Sequence, residues 1–593
     1  MLASALGVVI VSVVAGLLMF ISTIVMVVSL SKMSKSDSVV VKKGTFVTVD
    51  LGRISGDRTA SGLQQSFGDG KTVGLVAALE AVRRAADDEC VSGLLLKDNG
   101  APGVSWASLE ELRAAIADFR ASGKPVISYA TAYSQPGYYL CTAADKVCLH
   151  PDGIVDFRGM GAEVMYYKDL LDKLGVEMQL IRPESCAYKS AGEVYTLNSM
   201  SAANREQIRA YIASIWRTAT ADIAASRGMD QDYLGRVADD LGGYLANDAC
   251  ATHLVDTLCF EEDVRTMLRE DHNGKQLMPL EKYVKNTKDQ KSKTDRIAVI
   301  YAEGEVVDGS ARGMERGVYG DDIVKALRQA ADDDDVKAIV LRVNSPGGQV
   351  TASESMTHAV IAAKARKPFV VSMGDVAASA GYEISCMADA IVAQPMTITG
   401  SIGVFGTVPN VQKLMNKKLG LHTDTVSTNR NASNLSVFRP LTGTAMALMT
   451  RNVEDFYKVF VGRVAEGRGM TWDAVHQIAR GRVWTGVDAK AIGLVDTLGG
   501  LDLALRIAAE KAGISDYTVK DYPLEKDVWT QLSELFGEGG DSDLDLRAKM
   551  RLAVMWRLGR SEMKAVTRLD EELRYVSETE GLHARLPFVN IGD

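Results

Sequence analysis

Two short stretches of the chain carry residue types that could perform nucleophilic chemistry. "GDVAASAGYE", residues 374–383, places Ser379 among small residues directly after an apolar run, and "CAYKSAGE", residues 186–193, places Lys189 among small and polar neighbours. A serine hydroxyl is a weak nucleophile at neutral pH and needs a base to accept its proton. The two stretches are candidates for the two halves of one site.

An uncharged lysine is the base that this sequence offers. The histidines of the second half show no pairing with Asp or Glu that would indicate a triad; they are His358, His422 and His476. For Lys189 to accept a proton near pH 7, its pKa must fall from about 10.4 to about 7, which burial between two domains can achieve. A nearby carboxylate would oppose that fall, and Glu193 is the candidate on the same segment.

The chain contains an internal duplication. "AADDECVSGLLLK" (85–97) resembles "AADDDDVKAIVLR" (330–342), and "GKPVISYATAYSQPGYYLCTAADKV" resembles "RKPFVVSMGDVAASAGYEISCMADAIV". "LVDTL" then occurs at both 254–258 and 494–498. Blocks that recur in the same order at nearly one displacement indicate two copies of one domain.

Each copy lacks the reactive residue that the other contains. Alignment of the copies puts Gln135 opposite Ser379, and Lys189 opposite approximately Asn434. The second copy has no lysine between Lys418 and Lys458. This complementary loss predicts that the serine and the lysine come from opposite copies and form a single Ser-Lys dyad where the copies meet.

The elements that must position these residues alternate between strand and helix. "IAVIYAEGEV" and "KAIVLRVN" have the composition of buried strands, while "GDDIVKALRQAADD" repeats apolar residues at helical spacing. This alternation predicts an α/β fold with right-handed crossovers. The loops "NSPGGQV" and "GDVAASAG" follow neighbouring strands, so both can line one cleft, and the glycines Gly347 and Gly348 let backbone N–H groups approach a ligand.

The chain divides into five regions on this interpretation. Residues 2–30 are uncharged and almost all apolar or small, which predicts an uncleaved transmembrane anchor. The two copies span 45–270 and 295–515, with a polar, lysine-rich linker at 271–294. We expect residues 516–593 to form a helical extension. By the positive-inside rule, the lysines that follow the anchor would place the large domain in the cytoplasm.

Composition excludes several classes of partner. A net charge of −9 and a pI of about 5.5 are unsuited to nucleic acid as the main ligand. The seven cysteines lack close C-x-x-C spacing and the seven histidines are scattered, so neither a metal site nor a cofactor is predicted.

These motifs resemble the long, duplicated form of the signal peptide peptidase A (protease IV) family. The resemblance rests on "YKSAGE", "NSPGG", "GDVAASAGY" and "TITGSIGVFG" and covers nearly the whole chain. It implies a serine protease in which Ser379 is the nucleophile and Lys189 the general base. In the family, Ser401 hydrogen-bonds the lysine, and the backbone N–H groups of Gly348 and Ala380 form the oxyanion hole.

The same resemblance implies an assembly and a location. It implies two tandem domains similar to the crotonase and Clp protease superfamily, assembled as a homotetramer. It further implies a single-pass protein of the bacterial inner membrane, with periplasmic catalytic domains and remnant signal peptides as substrates. Two alternatives stay open at this point: an acyl-CoA hydratase or isomerase of the crotonase type, and a non-catalytic membrane scaffold.

Overall fold

The computed structural model describes residues 40–59, 72–100, 103–286, 295–311 and 317–522, together with two short strands at 582–585 and 590–591. The anchor predicted at 2–30 lies outside the described residues. In the part of the chain that is described, no helix combines the length and apolarity needed to cross a bilayer.

The first copy is built on a six-stranded parallel sheet. Its strands, in spatial order, are Thr257–Leu258, Lys146–Val155, Val126–Tyr133, Val91–Lys97, Thr45–Asp50 and Gln276–Pro279. Helices of this half are Leu75–Asp87, Trp106–Ala121, Gln135–Cys141, Lys168–Leu174, Glu193–Thr196, Ala202–Arg227, Gln231–Asp239, Ala246–Ala251, Glu261–His272 and Leu280–Tyr283. The central strands are buried because helices cover a parallel sheet on both faces.

The second copy repeats this arrangement. Six parallel strands follow one another as Thr497–Leu498, Ala390–Ala393, Phe369–Ala378, Val336–Ser345, Arg296–Glu303 and Thr518–Tyr522, and the short strands Ile398–Gly400 and Val483–Thr485 extend the sheet. Its helices are Gly320–Asp332, Val350–Lys364, Ala380–Glu383, Gly443–Arg468, Trp472–Ile478, Gly486–Ala491 and Leu501–Ala512. Equivalent strands therefore occupy equivalent positions in the two sheets, which confirms the duplication and the α/β alternation.

Matching hydrogen bonds recur in both copies. The Tyr138 hydroxyl donates to the Leu254 carbonyl at 2.7 Å, and the Tyr382 hydroxyl donates to the Leu494 carbonyl at 2.8 Å. Both tyrosines are fully buried. Each hydroxyl thus satisfies the carbonyl of the first residue of an "LVDTL" stretch, and this shared requirement explains why the same residue type stands at both positions.

A third sheet joins the two copies. The strand Glu177–Ile181 of the first copy pairs antiparallel with Phe405–Asn410 of the second. On the far side of this sheet lie Gly347–Gln349, Val306–Val307 and Val318–Tyr319. The pairing carries the segment that follows residue 181 into the second copy.

Ordered structure extends into the region interpreted as a linker. Residues 271 and 272 complete a helix, and Gln276–Pro279 pairs in parallel with Thr45–Asp50 as an edge strand of the first sheet. Tyr283 is fully buried. Apolar residues at these positions allow burial although lysines surround them in sequence.

The helical expectation for the C-terminal extension is wrong where the structure describes it. Thr518–Tyr522 is a strand that pairs in parallel with Arg296–Glu303, and 582–585 and 590–591 are strands as well. The edge of the second sheet accepts residues 518–522 because its outer strand would otherwise leave a row of backbone groups unpaired. Residues 544–577, whose helical periodicity is the basis of that expectation, lie outside the described residues.

A buried charge cluster holds the copies together. Arg342 in the second copy donates to Asp57 Oδ1 at 2.9 Å and to Glu111 Oε2 at 3.0 Å, and all three side chains are nearly inaccessible. The other oxygen of Glu111 accepts the backbone N–H of Leu501 at 2.6 Å. Beside the cluster, Asp375 accepts backbone N–H groups at the start of the helix Trp106–Ala121.

We predict that Arg342→Ala destabilises the protein by about 3 to 5 kcal/mol, because it leaves two carboxylates buried without a counter-charge. The measurement is the midpoint of urea unfolding. The control is Arg366→Ala, which breaks a surface pair with Asp332 and should cost less than about 1 kcal/mol. Equal midpoints for the two variants would contradict the structural role of the cluster.

Candidate active site

Ser379 and Lys189 meet inside the chain, where the two copies touch. Lys189 Nζ lies 2.7 Å from Ser379 Oγ. Both side chains are buried, with 1% of Lys189 and none of Ser379 accessible to solvent. Each copy supplies one of the two residues, in the combination that the sequence predicts.

Ser379 occupies a constrained turn between a strand and a helix. It follows the strand Phe369–Ala378 and precedes the helix Ala380–Glu383, with φ 58° and ψ −120°. A positive φ is costly for a residue that has a Cβ atom. The side chain makes no capping hydrogen bond to the helix, although its position would allow one. The turn therefore directs the hydroxyl to Lys189.

The amine of Lys189 has three polar neighbours. Besides Ser379 Oγ, Nζ lies 2.9 Å from the Ser401 carbonyl oxygen and 3.1 Å from Ser401 Oγ. A neutral amine has two N–H donors and one lone pair. Two donations to Ser401 leave the lone pair to accept the hydroxyl proton of Ser379, so the set of neighbours suits an uncharged lysine.

Ser401 is held at the end of a strand beside Ser379. The strand Ile398–Gly400 pairs with the end of Phe369–Ala378, so that Ala378 lies opposite Gly400. Ser401 has φ 49° and donates its backbone N–H to the Arg482 carbonyl at 2.7 Å. These backbone bonds fix both oxygen atoms that contact the lysine.

The segment around Lys189 is anchored by both copies. Tyr188 donates its backbone N–H to the Arg480 carbonyl of the second copy, and Gln207 of the first copy donates to the Tyr188 carbonyl at 2.9 Å. Gly481 has φ 80°, and a Cβ atom there would lie 2.5 Å from the backbone nitrogen of Lys189. A glycine is therefore required at 481 for the lysine to reach the serine. No motif in the sequence marks this position.

Burial lowers the pKa of Lys189 from 10.5 to about 7. Two neighbours oppose the fall, Cys186 more than Glu383. Glu193, the carboxylate suspected from sequence, instead forms an ion pair with Arg182 at 3.1 Å. The carboxyl group that raises the pKa of the amine is thus Glu383, which lies one helical turn after Ser379. The sequence did not predict this role for Glu383, because nothing in "GYE" indicates it.

Glu383 belongs to a buried polar cluster that follows Ser379 in the helix Ala380–Glu383. Burial raises its pKa to about 8, although Ser353 Oγ donates to it at 2.7 Å and Arg463 lies 3.1 Å away. Arg463 also contacts Glu354. Because Glu383 is paired with Arg463 and its pKa is raised, it places less negative charge near the amine of Lys189 than an unpaired carboxylate would.

Gly348 and Ala380, the predicted oxyanion donors, lie on the two loops that border Ser379. Gly348 is in the short strand Gly347–Gln349, where a Cβ atom would lie 2.1 Å from the Val306 carbonyl oxygen, so only glycine fits. Ala380 is the first residue of its helix, and amides at a helix start have no acceptor within the helix.

The equivalent position in the first copy is filled. Gln135 donates to the Gly159 carbonyl at 3.0 Å, and its side-chain oxygen accepts the backbone N–H groups of Arg158 and Gly159. This amide fixes a loop at the position that corresponds to Ser379 in the second copy. The first copy therefore contributes the lysine alone.

Comparison with known proteins identifies the family of the chain. Peptidase family S49 matches residues 118–275 and 361–515, and the Clp protease family matches residues 294–412. The chain is 38% identical to Protease 4 of Salmonella typhi over 76% of this chain and 74% of that protein. It is 35% identical to Protease 4 of Haemophilus influenzae over 75% and 74%, and 30% identical to a chloroplastic serine protease, SPPA, of Arabidopsis thaliana over 80% and 70%.

Fold, site and relatives together define a serine protease with a duplicated, Clp-protease-like α/β fold. The chain belongs to peptidase family S49, with one match in each copy. This result excludes the hydratase and the scaffold as the class of the protein.

The buried Lys189 lowers the free energy of unfolding by an amount that depends on pH. Because the pKa is about 7 in the folded state and 10.5 when unfolded, the unfolded chain binds more protons between these values, and stability rises with pH across that window. We predict that Lys189→Met, which removes the charge, unfolds at a higher temperature than the parent near pH 6. At that pH, keeping the buried amine charged costs the parent on the order of 4 kcal/mol, which is partly offset by the hydrogen bonds that methionine cannot make.

Thermal unfolding of both proteins from pH 6 to pH 9 provides the measurement. The advantage of Lys189→Met should be constant below pH 7 and should shrink as pH rises above about 7. Lys458→Met, at an exposed position, controls for loss of a lysine from the surface. A difference that stays constant over this range would show that the amine is not desolvated.

Proposed function

We propose that this protein hydrolyses peptide bonds with a Ser-Lys dyad, in which Ser379 is the nucleophile and Lys189 the general base. The observation that carries the proposal is the 2.7 Å contact between Ser379 Oγ and a buried amine with a pKa of about 7. An amine with that pKa is half neutral at physiological pH, where a base is most effective.

Acylation begins when neutral Lys189 accepts the hydroxyl proton as Ser379 Oγ attacks the substrate carbonyl carbon. The carbonyl oxygen becomes an oxyanion, which the N–H groups of Gly348 and Ala380 stabilise. The lysine, now an ammonium, returns its proton to the leaving amine when the C–N bond breaks. An acyl-enzyme on Ser379 remains.

Deacylation repeats these steps with water. Lys189 accepts a proton from the water that attacks the acyl carbon, and it then returns the proton to Ser379 Oγ as the ester bond breaks. Ser401 is a positioning residue for this cycle, because its two oxygens keep the amine lone pair directed at Ser379.

We further propose that the chain is anchored in the bacterial inner membrane by residues 2–30, with its catalytic copies in the periplasm. Its substrates would be apolar peptides such as remnant signal peptides, which the anchor would keep within reach. Exposed apolar side chains at Met165 (70% exposed) and Leu170 (54% exposed) support assembly of several chains, proposed as a tetramer.

We expect Ser379→Ala and Lys189→Ala each to lower the rate of hydrolysis of an apolar peptide ester by about 10² to 10⁴-fold, because each removes one half of the proton transfer. Full-length protein in detergent is assayed, with circular dichroism as the test of folding. The exposed Ser355→Ala and Lys458→Ala variants are matched controls that should keep the parental rate. Full activity of folded Lys189→Ala would mean that another base acts.

The dependence of kcat/KM on pH offers an independent test. Since only the neutral amine accepts a proton, kcat/KM should rise tenfold per pH unit below about 7 and level off above it. Ser401→Ala should lower kcat more than it raises KM, because it loosens the base without touching the peptide. A profile that is flat from pH 5 to pH 8 would rule out Lys189 as the titrating group.

A further inference from the structure

A loop of the second copy, residues 479–482, binds the turn that carries Lys189. The Arg480 carbonyl accepts the backbone N–H of Tyr188 at 3.1 Å. The side chain of Arg480 reaches the same turn, where its Nε donates to the Ser185 carbonyl at 3.0 Å. The position of this loop therefore sets the position of Lys189 relative to the second copy.

The same loop also holds Ser401. Gly481 donates its backbone N–H to the Ile402 carbonyl at 2.8 Å, and the Arg482 carbonyl accepts the backbone N–H of Ser401 at 2.7 Å. Ser401 supplies two of the three oxygen atoms that bond the amine of Lys189. One loop thus fixes both the amine and two of its hydrogen-bond partners, so a shift of the loop would disturb the geometry of the proposed base.

The loop takes a conformation that needs support from outside. Arg480 has φ 59°, which is costly for a residue that has a Cβ atom. It lies just past the end of the helix Trp472–Ile478, and its backbone N–H donates to the Tyr457 hydroxyl at 3.3 Å. Tyr457 is nearly inaccessible and belongs to the helix Gly443–Arg468. A buried hydroxyl on another helix therefore supports the loop at its strained residue.

His476 orients this hydroxyl. Its Nδ1 lies 2.8 Å from Tyr457 Oη, and its ring stacks on Trp472 with the ring centroids 4.9 Å apart. A tyrosine hydroxyl has one proton to donate. When that proton goes to Nδ1, the lone pairs of the oxygen remain for the Arg480 N–H and for the thiol of Cys186, which also hydrogen-bonds this hydroxyl from the lysine turn.

We infer that Tyr457 is a positioning residue for the proposed base: its hydroxyl, oriented by His476, fixes the loop 479–482 and through it the turn of Lys189. This inference rests on the proposed function, because it takes Lys189 as the group that accepts the proton of Ser379. Tyr457 acts through the loop, so its removal should impair proton transfer and leave peptide binding intact.

The first test compares Tyr457→Phe with the parent, both as full-length protein in detergent. We expect kcat for an apolar peptide ester to fall about 10- to 100-fold with little change in KM, because a small displacement of the base slows proton transfer. Tyr138→Phe is the matched control, since it also removes a buried hydroxyl that bonds a backbone group, but in the framework of the first copy. Equal kcat values for the two variants would overturn the inference.

Variants of His476 test the orientation of the hydroxyl without changing the buried tyrosine. His476→Asn places a carbonyl oxygen near the position of Nδ1 and should keep most of the parental kcat. His476→Leu removes the acceptor and should lower kcat in the same direction as Tyr457→Phe. If His476→Asn and His476→Leu have the same kcat, the histidine does not orient the hydroxyl and the inference is wrong on that point.

The pH profile separates positioning from a loss of stability. Burial keeps the pKa of Lys189 at about 7. A loosened turn that admits water should therefore move the midpoint of the kcat/KM profile of Tyr457→Phe upward by about one pH unit. A variant that only unfolds more easily loses active molecules and keeps the parental midpoint, and that result would contradict the positioning role.

The two proposals can fail separately. If Lys189→Ala keeps its rate, the proposed chemistry is rejected, and hydrogen–deuterium exchange, which needs no catalysis, decides whether Tyr457 holds the loop. Peptides that cover residues 185–190 and 479–484 should then exchange faster in Tyr457→Phe than in the parent, but not in Tyr138→Phe. If Lys189→Ala is inactive and exchange in Tyr457→Phe is unchanged, the dyad stands and the positioning role is rejected.

Discussion

The rest of this structure depends on the removal of one lysine amine from water. An ammonium is strongly hydrated, so an amine enclosed by protein loses its proton far more easily than one at the surface. Here the enclosure is made where two copies meet, and the hydrogen-bond partners of the amine are hydroxyl and carbonyl oxygens. Neither copy alone could enclose Lys189, because the residues that cover it come from both.

Duplication explains how such a site can arise from a repeated domain. Both copies retain the same strand order and the same tyrosine-to-carbonyl bond, which stabilise the framework. They differ at the candidate site: Gln135 fixes a loop in the first copy, while Ser379 occupies a turn with a positive φ in the second. The framework tolerates such divergence since catalytic groups stand on loops at the ends of strands.

Buried charge fixes the register of the copies. Arg342 with its two carboxylates is a poor source of net stability, because the cost of removing three charges from water offsets most of their attraction. The cluster instead fixes how the copies align. Any displacement between them would separate buried charges that water cannot reach to solvate. The Lys189 contact needs that register, because a shift of about 1 Å would disrupt a hydrogen bond of 2.7 Å.

The sequence by itself determined the strands and helices of both copies and which serine and lysine come into contact. Strands such as Val336–Ser345 follow from buried apolar runs, and the pairing of Ser379 with Lys189 follows from what each copy lacks. Only the tertiary structure decided that Glu383 and not Glu193 acts on the amine, that Gly481 makes room for the lysine, and that residues 582–585 pair with the strand Gly347–Gln349. The spacing of apolar residues indicates which face of a strand or helix is buried. Contacts between residues hundreds of positions apart depend instead on how whole sheets pack against each other.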